Sequence, residues 1–180
     1  MTIAHTWGTE PAERTLSFPC DELMSDADAV YFRGVTIHAV PSVVFRWLCQ
    51  LRIAPYSYDW IDNGGRQSPR RLTPGADVLE VGQDVMSIFD LASFDRDRHL
   101  TIRIKRRSSA ERTFGDIVGS YVVVPKSPGR CRLLVKLLVR YPRGVRGWLM
   151  RTLLPWGDLV MMRRQLLTLK ALAEQTIAIA

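Results

Sequence analysis

The chain has 180 residues and a net charge of +7; 47% of its residues are apolar and 24% are charged. This length fits one domain with a sizeable core, and this composition is ordinary for a globular protein. The sequence contains no run of 18 apolar residues and no basic-then-apolar leader, which argues against a membrane-spanning helix and a signal peptide, so we expect a cytoplasmic protein.

Residues that commonly hold metals or cofactors are scattered. Cys20, Cys49 and Cys131 lie far apart and in no metal-ligand spacing, which is typical of reduced thiols. The motifs G-x-S-x-G, H-E-x-x-H and CxxC and a Gly-rich phosphate loop are absent. The sequence therefore predicts no metal and no cofactor.

Residues 1–28 are polar and acidic, with prolines at positions 11 and 19 and no helical or strand periodicity. Residues 1–30 contain six acidic residues and a single arginine. Such a segment buries little apolar surface. We therefore predict a loosely packed arm over residues 1–28, followed by one domain over residues 29–180.

The domain begins with a strand and a short helix. Val35, Ile37 and Ala39 alternate with polar residues, which predicts a half-buried strand over residues 29–40. Pro41 then favours a helix start. The buried face of this helix is predicted to comprise Val44, Trp47, Leu48 and Leu51.

Residues 53–75 have no regular period and are interrupted by prolines and glycines, which indicates a long loop. Asp59 or Asp62 beside Tyr58 would suit proton transfer on a carbonyl substrate. The alternative is that these carboxylates only form turns and cap helices. The aromatic and acidic residues of the loop are Tyr56, Tyr58, Asp59, Trp60, Asp62 and Asn63.

After Gly75, short apolar segments and polar turns alternate, which predicts an antiparallel meander. In the clearest strand, Leu100 and Ile102 face inward between polar residues. Asp90 and Asp116 fall within predicted strands, and the sequence leaves open whether either faces the interior. The predicted strands cover residues 77–81, 85–94, 99–105, 112–124 and 131–141.

Residues 145–157 predict a short helix that is broken at Pro155-Trp156-Gly157. Trp148 and Trp156 beside arginines have the composition of a membrane interface. The favoured alternative is that both tryptophans anchor the start of the last helix in the core.

The last segment, residues 158–177, has no internal proline or glycine and predicts a helix of about 30 Å. Leu159, Met162, Leu166 and Leu169 recur at helical spacing and form one apolar stripe. Further apolar residues occupy the neighbouring faces, so this helix needs cover on more than one side.

Residues 140–170 contain seven basic residues and one acidic residue. This imbalance predicts a basic surface able to meet an anionic membrane, with a plainly solvated surface as the alternative. Nucleic acid is the less favoured partner. The basic surface comprises Arg143, Arg146, Arg151, Arg163 and Arg164.

The loop after the first helix contains Tyr56-Ser57-Tyr58-Asp59-Trp60-Ile61-Asp62-Asn63 and is similar to the corresponding loop of many bacterial SRPBCC proteins. The order of elements over residues 29–178 likewise resembles the helix-grip fold of this START-like, or polyketide cyclase/dehydrase-like, superfamily. The resemblance implies an α+β fold. In it, a curved antiparallel sheet of about six to seven strands grips the long C-terminal helix around a deep cavity.

Known cavities of this superfamily hold lipids, polyketides and other apolar molecules, and some members are enzymes, so the fold does not fix the function. We expect a protein that binds or transfers an apolar small molecule or lipid. The alternative is a cyclase, dehydratase or hydrolase acting on a polyketide-like or aromatic substrate through Tyr58 and Asp59 or Asp62. The candidate cavity-lining residues, for each of which core packing is the alternative, are Trp47, Tyr56, Tyr58, Trp60, Phe89, Tyr121, Leu137, Met161, Met162 and Leu166.

Overall fold

The structure, a computed structural model, describes residues 2–62 and 64–179. The strands in this part of the chain are β1 Ala29–Ile37, β2 Asp84–Val85, β3 Phe89–Asp95, β4 His99–Ile104, β5 Asp116–Ser127 and β6 Arg130–Arg140. The helices described are α1 Ile3–Thr6, α2 Pro41–Cys49, α3 Asp59–Asp62, α4 Ser109–Phe114 and α5 Val145–Ile179. Over the described residues, the six strands form one antiparallel sheet in the order β1-β6-β5-β4-β3-β2, which confirms the predicted α+β class.

Alternation along the strands gives the sheet two different faces. Val35 of β1 and Leu133 of β6 are buried on the inner face, in the same core cluster as residues of α2 and α5. Phe32 of β1 and Leu134 of β6 occupy the alternate positions of their strands and are buried on the outer face. The predicted alternation in the fourth strand is confirmed by the burial of Leu100, Ile102 and Ile104.

Helix α2 begins where the sequence predicts. Pro41 is its first residue, a position at which the missing N–H costs no helical hydrogen bond. The Trp47 indole N–H donates to Thr176 Oγ1 at 2.9 Å, which joins α2 to the C-terminal end of α5. The predicted apolar face is buried at Val44, Trp47, Leu48 and Leu51.

Helix α5 is continuous over 35 residues, so the prediction of a break at Pro155 is wrong. Proline removes one helical hydrogen bond, and tertiary packing on both sides of Pro155 outweighs that loss. Pro155 is itself buried, Met150 and Leu154 before it pack against the core, and Met162 and Leu166 after it lie within the core. Within residues 2–62 and 64–179, no helix combines the length and hydropathy that crossing a membrane requires.

Two predicted strand segments have other structures. Residues 77–81 are irregular, because the carbonyls of Gly75, Ala76 and Val78 accept hydrogen bonds from Arg52 instead of pairing with a strand. The segment predicted as one strand over residues 85–94 is divided into β2 and β3 by a tight turn.

The start of the strand predicted at residue 112 is also wrong, because residues 112–114 belong to α4. Ser108 caps this helix by accepting a hydrogen bond from the Glu111 N–H at 3.0 Å. Gly115 ends it with a φ of +92°, a conformation that favours glycine. Strand β5 therefore starts only at Asp116.

The N-terminal segment packs more closely than its composition suggested. Phe18, Cys20 and Met24 are buried against the outer face of the sheet. Glu13 accepts two hydrogen bonds from Arg132, each of 2.7 Å. The expectation of a loosely packed arm overlooked these contacts because Glu13 and Arg132 are 119 positions apart in the chain.

Glycines allow this segment to cross β1 at very short range. The Gly34 N–H donates to the Trp7 carbonyl at 3.1 Å. Gly8 has a φ of +75°, and a Cβ atom added to it would lie 2.1 Å from the Gly34 carbonyl oxygen. Only a residue without a side chain fits at position 8.

Candidate functional site

A charged pair lies inside the protein, between the inner face of the sheet and α5. Arg33 of β1 is fully buried, and its Nη2 donates to Asp158 Oδ2 of α5 at 2.6 Å. The guanidinium also donates to the carbonyls of Phe32 and Ala4. Its Nε has no hydrogen-bond partner among the described residues. Since buried donors are normally paired, Arg33 has unused hydrogen-bonding capacity in the interior.

Burial raises the pKa of the Asp158 carboxyl to about 6, and the neighbouring Arg33 offsets this effect only in part. The Asp158 side chain is 15% exposed, so protons can reach it from solvent. A carboxyl of this kind changes its charge close to neutral pH. Protonation of Asp158 would leave the Arg33 charge without its counter-ion.

Two tyrosines connect this pair to the surface. Tyr31 precedes Arg33 by two residues on the inner face of β1, and its ring centre lies 5.6 Å from the Arg33 guanidinium carbon. The hydroxyls of Tyr31 and Tyr141 are hydrogen-bonded to each other. Burial, and then the bond to Tyr141, raise the pKa of Tyr31, so its hydroxyl stays protonated at neutral pH.

Tyr141 also borders a surface pocket of about 560 Å³ near the N-terminal end of α5. This volume is within the usual range for small-molecule sites. Arg151 lies 4.9 Å from the centre of the Tyr141 ring and is paired with Asp28 at 3.2 Å. Trp148 forms another part of the wall. This pocket lies at the surface, whereas the sequence predicted a cavity between the sheet and the last helix.

A second polar group joins β5, α5 and the aromatic loop. The Tyr121 hydroxyl donates to Gln165 Oε1 at 2.8 Å, and Gln165 Nε2 donates to the Pro55 carbonyl at 2.7 Å. Both side chains are buried. Sulfur atoms of Met86 and Met162 complete the surroundings of this group, at 3.2 Å from Gln165 Nε2 and 3.7 Å from the Tyr121 hydroxyl, respectively. Methionine side chains are flexible and polarisable, so the packing around this group is adaptable.

Tyr56 starts the aromatic loop in an unusual conformation. Its φ of 56° lies in the left-handed region, which is rare for residues other than glycine. Its hydroxyl is buried without a hydrogen-bond partner among the residues described, and burial followed by the Asp59 charge raises its pKa to about 12. Tyr56 borders a pocket of about 30 Å³, together with Ser68 and Arg164. This space holds about one or two water molecules.

The structure brings most of the candidate lining residues together. Tyr58 and Met161 lie outside the core and are half-buried, whereas Trp60 is 76% exposed. A lining role for the buried residues stays a prediction, because they pack against one another. The residues in one core cluster, with Phe89 packed at its edge, are Trp47, Tyr56, Tyr121, Leu137, Met162 and Leu166.

The candidate catalytic residues of the loop have contacts of their own. Asp59 accepts hydrogen bonds from the Ser68 N–H at 2.9 Å and from the Ser68 hydroxyl at 2.5 Å, which closes the loop. The Tyr58 ring centre lies 6.0 Å from the Arg164 guanidinium carbon. Asn63 and the side chain of Asp62 lie outside the described residues. A catalytic role for Tyr58, Asp59 or Asp62 stays a prediction.

The two strand carboxylates lie on the outer face of the sheet. Asp116 accepts two hydrogen bonds from Arg103, at 3.1 and 2.5 Å. Asp90 stands opposite Arg103 in the register of β3 and β4. Neither carboxylate therefore faces α5, which answers the question that the sequence left open.

The arginines predicted to form a basic surface are all exposed, and so are Trp148 and Trp156, at 71% and 54%. The interpretation of the two tryptophans as core anchors is therefore wrong. Both lie on the side of α5 that does not pack on the sheet. The exposed arginines are Arg143, Arg146, Arg151, Arg163 and Arg164.

Sequence reasoning overlooked Arg33, Asp158 and Gln165. Arg33 had a usable signal, since it precedes Val35 by two residues in the strand alternation and must share its inward face. Asp158 and Gln165 had no such signal in the sequence, because their inward direction depends on which face of α5 meets the sheet. In the part of the chain that the structure describes, no group of three or more His, Cys, Asp or Glu side chains could hold a metal ion.

No protein-family model and no curated protein matches the sequence. Solved structures do match it. The hypothetical protein jhp0584 from Helicobacter pylori has a TM-score of 0.57 and 13% identity, covering 88% of this chain and 96% of that chain. Protein MLL2253 from Mesorhizobium loti has a TM-score of 0.51 and 14% identity, covering 82% of this chain and 98% of that chain.

A third structure carries a descriptive name. The di-domain ARO/CYC StfQ from the steffimycin biosynthetic pathway has a TM-score of 0.54 and 10% identity, covering 88% of this chain and 55% of that chain. The chain has a helix-grip fold. The fold predicted from the sequence is thereby confirmed. At these identities the helix-grip likeness does not extend to an activity.

Proposed function

We propose that this helix-grip protein binds or transfers an apolar small molecule or lipid that carries an acidic head group. The apolar part would lie between the sheet and α5, among Met162, Leu166 and their neighbours. The head group would bind Arg33. The observation that supports this most is the buried Arg33 guanidinium, which has an unpaired Nε among the described residues inside a largely apolar interior.

Stability alone is a poor reason for this arginine. A buried ion pair can often be replaced by apolar residues with no loss of stability, because removing two charges from water is costly. Arg33 and Asp158 would be replaceable in this way if they only filled space. A guanidinium is, by contrast, well suited to binding a carboxylate or phosphate, and Asp158 can give up its charge near pH 6.

The ligand would enter by displacing side chains of the protein itself. Tyr141 lies between the surface pocket and Tyr31, and Tyr31 lies beside Arg33. This row of polar groups gives an acidic head group a path from solvent to the interior. The methionines near Gln165 can rearrange to admit the apolar tail.

The test is native mass spectrometry of the protein after incubation with a lipid extract, and then with oleate or methyl oleate. We expect an apolar adduct from the extract and at least roughly tenfold tighter binding of oleate than of its ester, because only oleate has a charge for Arg33. Arg33→Met should remove this preference, and Arg112→Met, at an exposed position of α4, should keep it. The proposal fails if no apolar adduct forms, or if Arg33→Met binds oleate as the wild type does while circular dichroism shows both folded.

One observation favours an enzyme as the second candidate, a cyclase or dehydratase acting on a polyketide-like substrate. Asp158 is an acid with a pKa of about 6 beside an arginine that can stabilise an oxyanion. In this case a polyketide-like compound would be recovered from the protein either as a cyclised isomer of the same mass with a different retention time, or as a product that has lost one molecule of water. Asp158→Asn should abolish that conversion and leave binding intact, and recovery of unmodified compound from the wild type would contradict the enzyme.

A further inference from the structure

Helix α5 has a second apolar face, which points away from the sheet. Five of its residues, from Val145 through Leu149 to Val160, follow one another at spacings of three and four, and Trp148 lies three residues after Val145, which places them on one side of a helix. Met162, Leu166 and Leu169, which lie further along the same helix, are buried in the core. The exposed residues, with their exposed fractions, are Val145 83%, Trp148 71%, Leu149 42%, Leu153 52%, Trp156 54% and Val160 52%.

Exposed arginines surround this apolar face. Arg143 and Arg146 lie at its N-terminal end, and Arg163 and Arg164 follow Val160. Over residues 143–164, Asp158 is the only acidic residue in the sequence, and it points inward to Arg33. A stripe containing tryptophan and leucine with arginines at its borders is the composition of helices that lie in the interface of a membrane.

We propose that the N-terminal half of α5 docks on the surface of an anionic lipid bilayer. The stripe from Val145 to Val160 enters the boundary between head groups and acyl chains, and the arginines contact lipid phosphates. This inference does not require the ligand proposed above.

Charge decides between a bilayer and a second copy of the chain. A symmetric dimer through this face would bring the same arginines together from two subunits, and the nearby carboxylates of Asp26 and Asp28 are already paired with Arg140 and Arg151 of their own chain. An anionic bilayer supplies the opposite charge over the whole surface. Trp148 and Arg151 also border the 560 Å³ pocket, so docking brings the lipid surface to the mouth of that pocket.

The experiment is co-sedimentation of the full chain with vesicles of phosphatidylcholine, with and without about 30% phosphatidylglycerol. We expect binding to the anionic vesicles that falls at least roughly tenfold as salt screens the arginines. Trp148→Ala with Trp156→Ala should weaken binding at least roughly tenfold, because both indoles enter the interface. Val78→Ala with Val81→Ala is the matched control, since these apolar residues are exposed elsewhere.

Charge reversal gives a second, independent readout. Arg143→Glu with Arg146→Glu should weaken binding at least roughly tenfold, whereas Arg112→Glu with Arg130→Glu, which changes the net charge equally, should not. Fluorescence of the wild type should shift to the blue with anionic vesicles, and the tryptophan variant should lose most of the shift. The proposal is overturned if the wild type binds no vesicles, if the matched variants behave alike, or if analytical ultracentrifugation shows a dimer that only the α5 variants dissociate.

Discussion

Two buried arginine–carboxylate pairs lie on opposite faces of the sheet and differ in how well the carboxylate is bonded. On the outer face, Glu13 accepts two hydrogen bonds from Arg132 and one from the Glu10 N–H. On the inner face, Asp158 accepts one from Arg33 among the residues described. Both pairs combine the same chemical groups, and both carboxylates are largely shielded from water.

The pKa values of the two carboxyls move in opposite directions. Burial by itself would raise the pKa of Glu13, but the hydrogen bonds from Arg132 and the Glu10 N–H outweigh burial and lower it. Burial raises the pKa of Asp158 to about 6, and one arginine contact does not compensate. The number of donors on a buried carboxylate thus decides the pH at which it loses its charge. The outer pair holds the N-terminal segment against the sheet, and the inner pair has fewer hydrogen bonds on its carboxylate.

Breaking the outer pair should have the largest effect. Arg132→Met leaves Glu13 buried without its main donors, so we expect a loss of about 3–5 kcal/mol in the free energy of unfolding at pH 7. Arg33→Met should cost clearly less, because Asp158 can take up a proton near neutral pH. Urea unfolding followed by circular dichroism measures both, and equal losses would contradict the difference between the pairs.

The second-largest effect should be a difference between the two pairs in how their contribution to stability depends on pH. The folded-state pKa of Asp158 is raised, so its contribution to stability is greatest below pH 4 and is lost, by up to about 3 kcal/mol, as the pH rises to about 6. The folded-state pKa of Glu13 is lowered, so its contribution is present above about pH 4.5 and is lost as the pH falls further.

Substitution can separate the contributions of Asp158 and Glu13 to the pH dependence of the free energy of unfolding. Asp158→Asn should remove the loss between pH 4 and 6, and Glu13→Gln should remove the loss at lower pH. Urea unfolding at a series of pH values measures the differences from wild type. A wild type and an Asp158→Asn variant with identical profiles would show that Asp158 does not titrate as we infer.

Replacing both partners should have a smaller effect on the inner face. Arg33→Met with Asp158→Leu should be within about 1 kcal/mol of the wild type, since apolar residues can replace a buried ion pair. Arg132→Met with Glu13→Leu should remain less stable, because it also leaves the Glu10 N–H without the Glu13 carboxylate that accepts its hydrogen bond. The midpoints of urea unfolding test this expectation. Wild-type stability of the variant with Arg132→Met and Glu13→Leu would contradict it.

An exposed pair should show the smallest effect. Asp84 and Lys105 form a salt bridge of 2.8 Å, but the Asp84 side chain is 72% exposed. Asp84→Asn should change the free energy of unfolding by about 0.3 kcal/mol, because water and salt screen such a pair. A change as large as that of Arg33→Met would show that burial is not what distinguishes the three pairs.

The sequence predicted much of the fold through local periodicity. Alternation at Leu100 and Ile102 gave a strand, and the start of α2 at Pro41 followed from the chemistry of proline. Errors occurred where a distant contact outweighed a local preference. Pro155 lies inside α5, and residues 77–81 bond to Arg52 instead of to a strand.

The candidate site was less predictable than the fold. The sequence located aromatic and apolar residues such as Trp47, Tyr121 and Met162, which the structure places in one core. It did not pair Arg33 with Asp158, because 125 positions separate them in the chain. It also placed Trp148 and Trp156 in the core as the favoured reading, and both are exposed.

By itself, the sequence determined that residues 158–177 of α5 would be helical and apolar on more than one face, because both properties follow from residue spacing within the helix. Only the tertiary structure decided which face meets the sheet and which is left in solvent. That choice depends on the register between α5 and β1, set by Arg33, Asp158 and the packing around Leu166. Such contacts join residues far apart in the chain, and no local pattern encodes them.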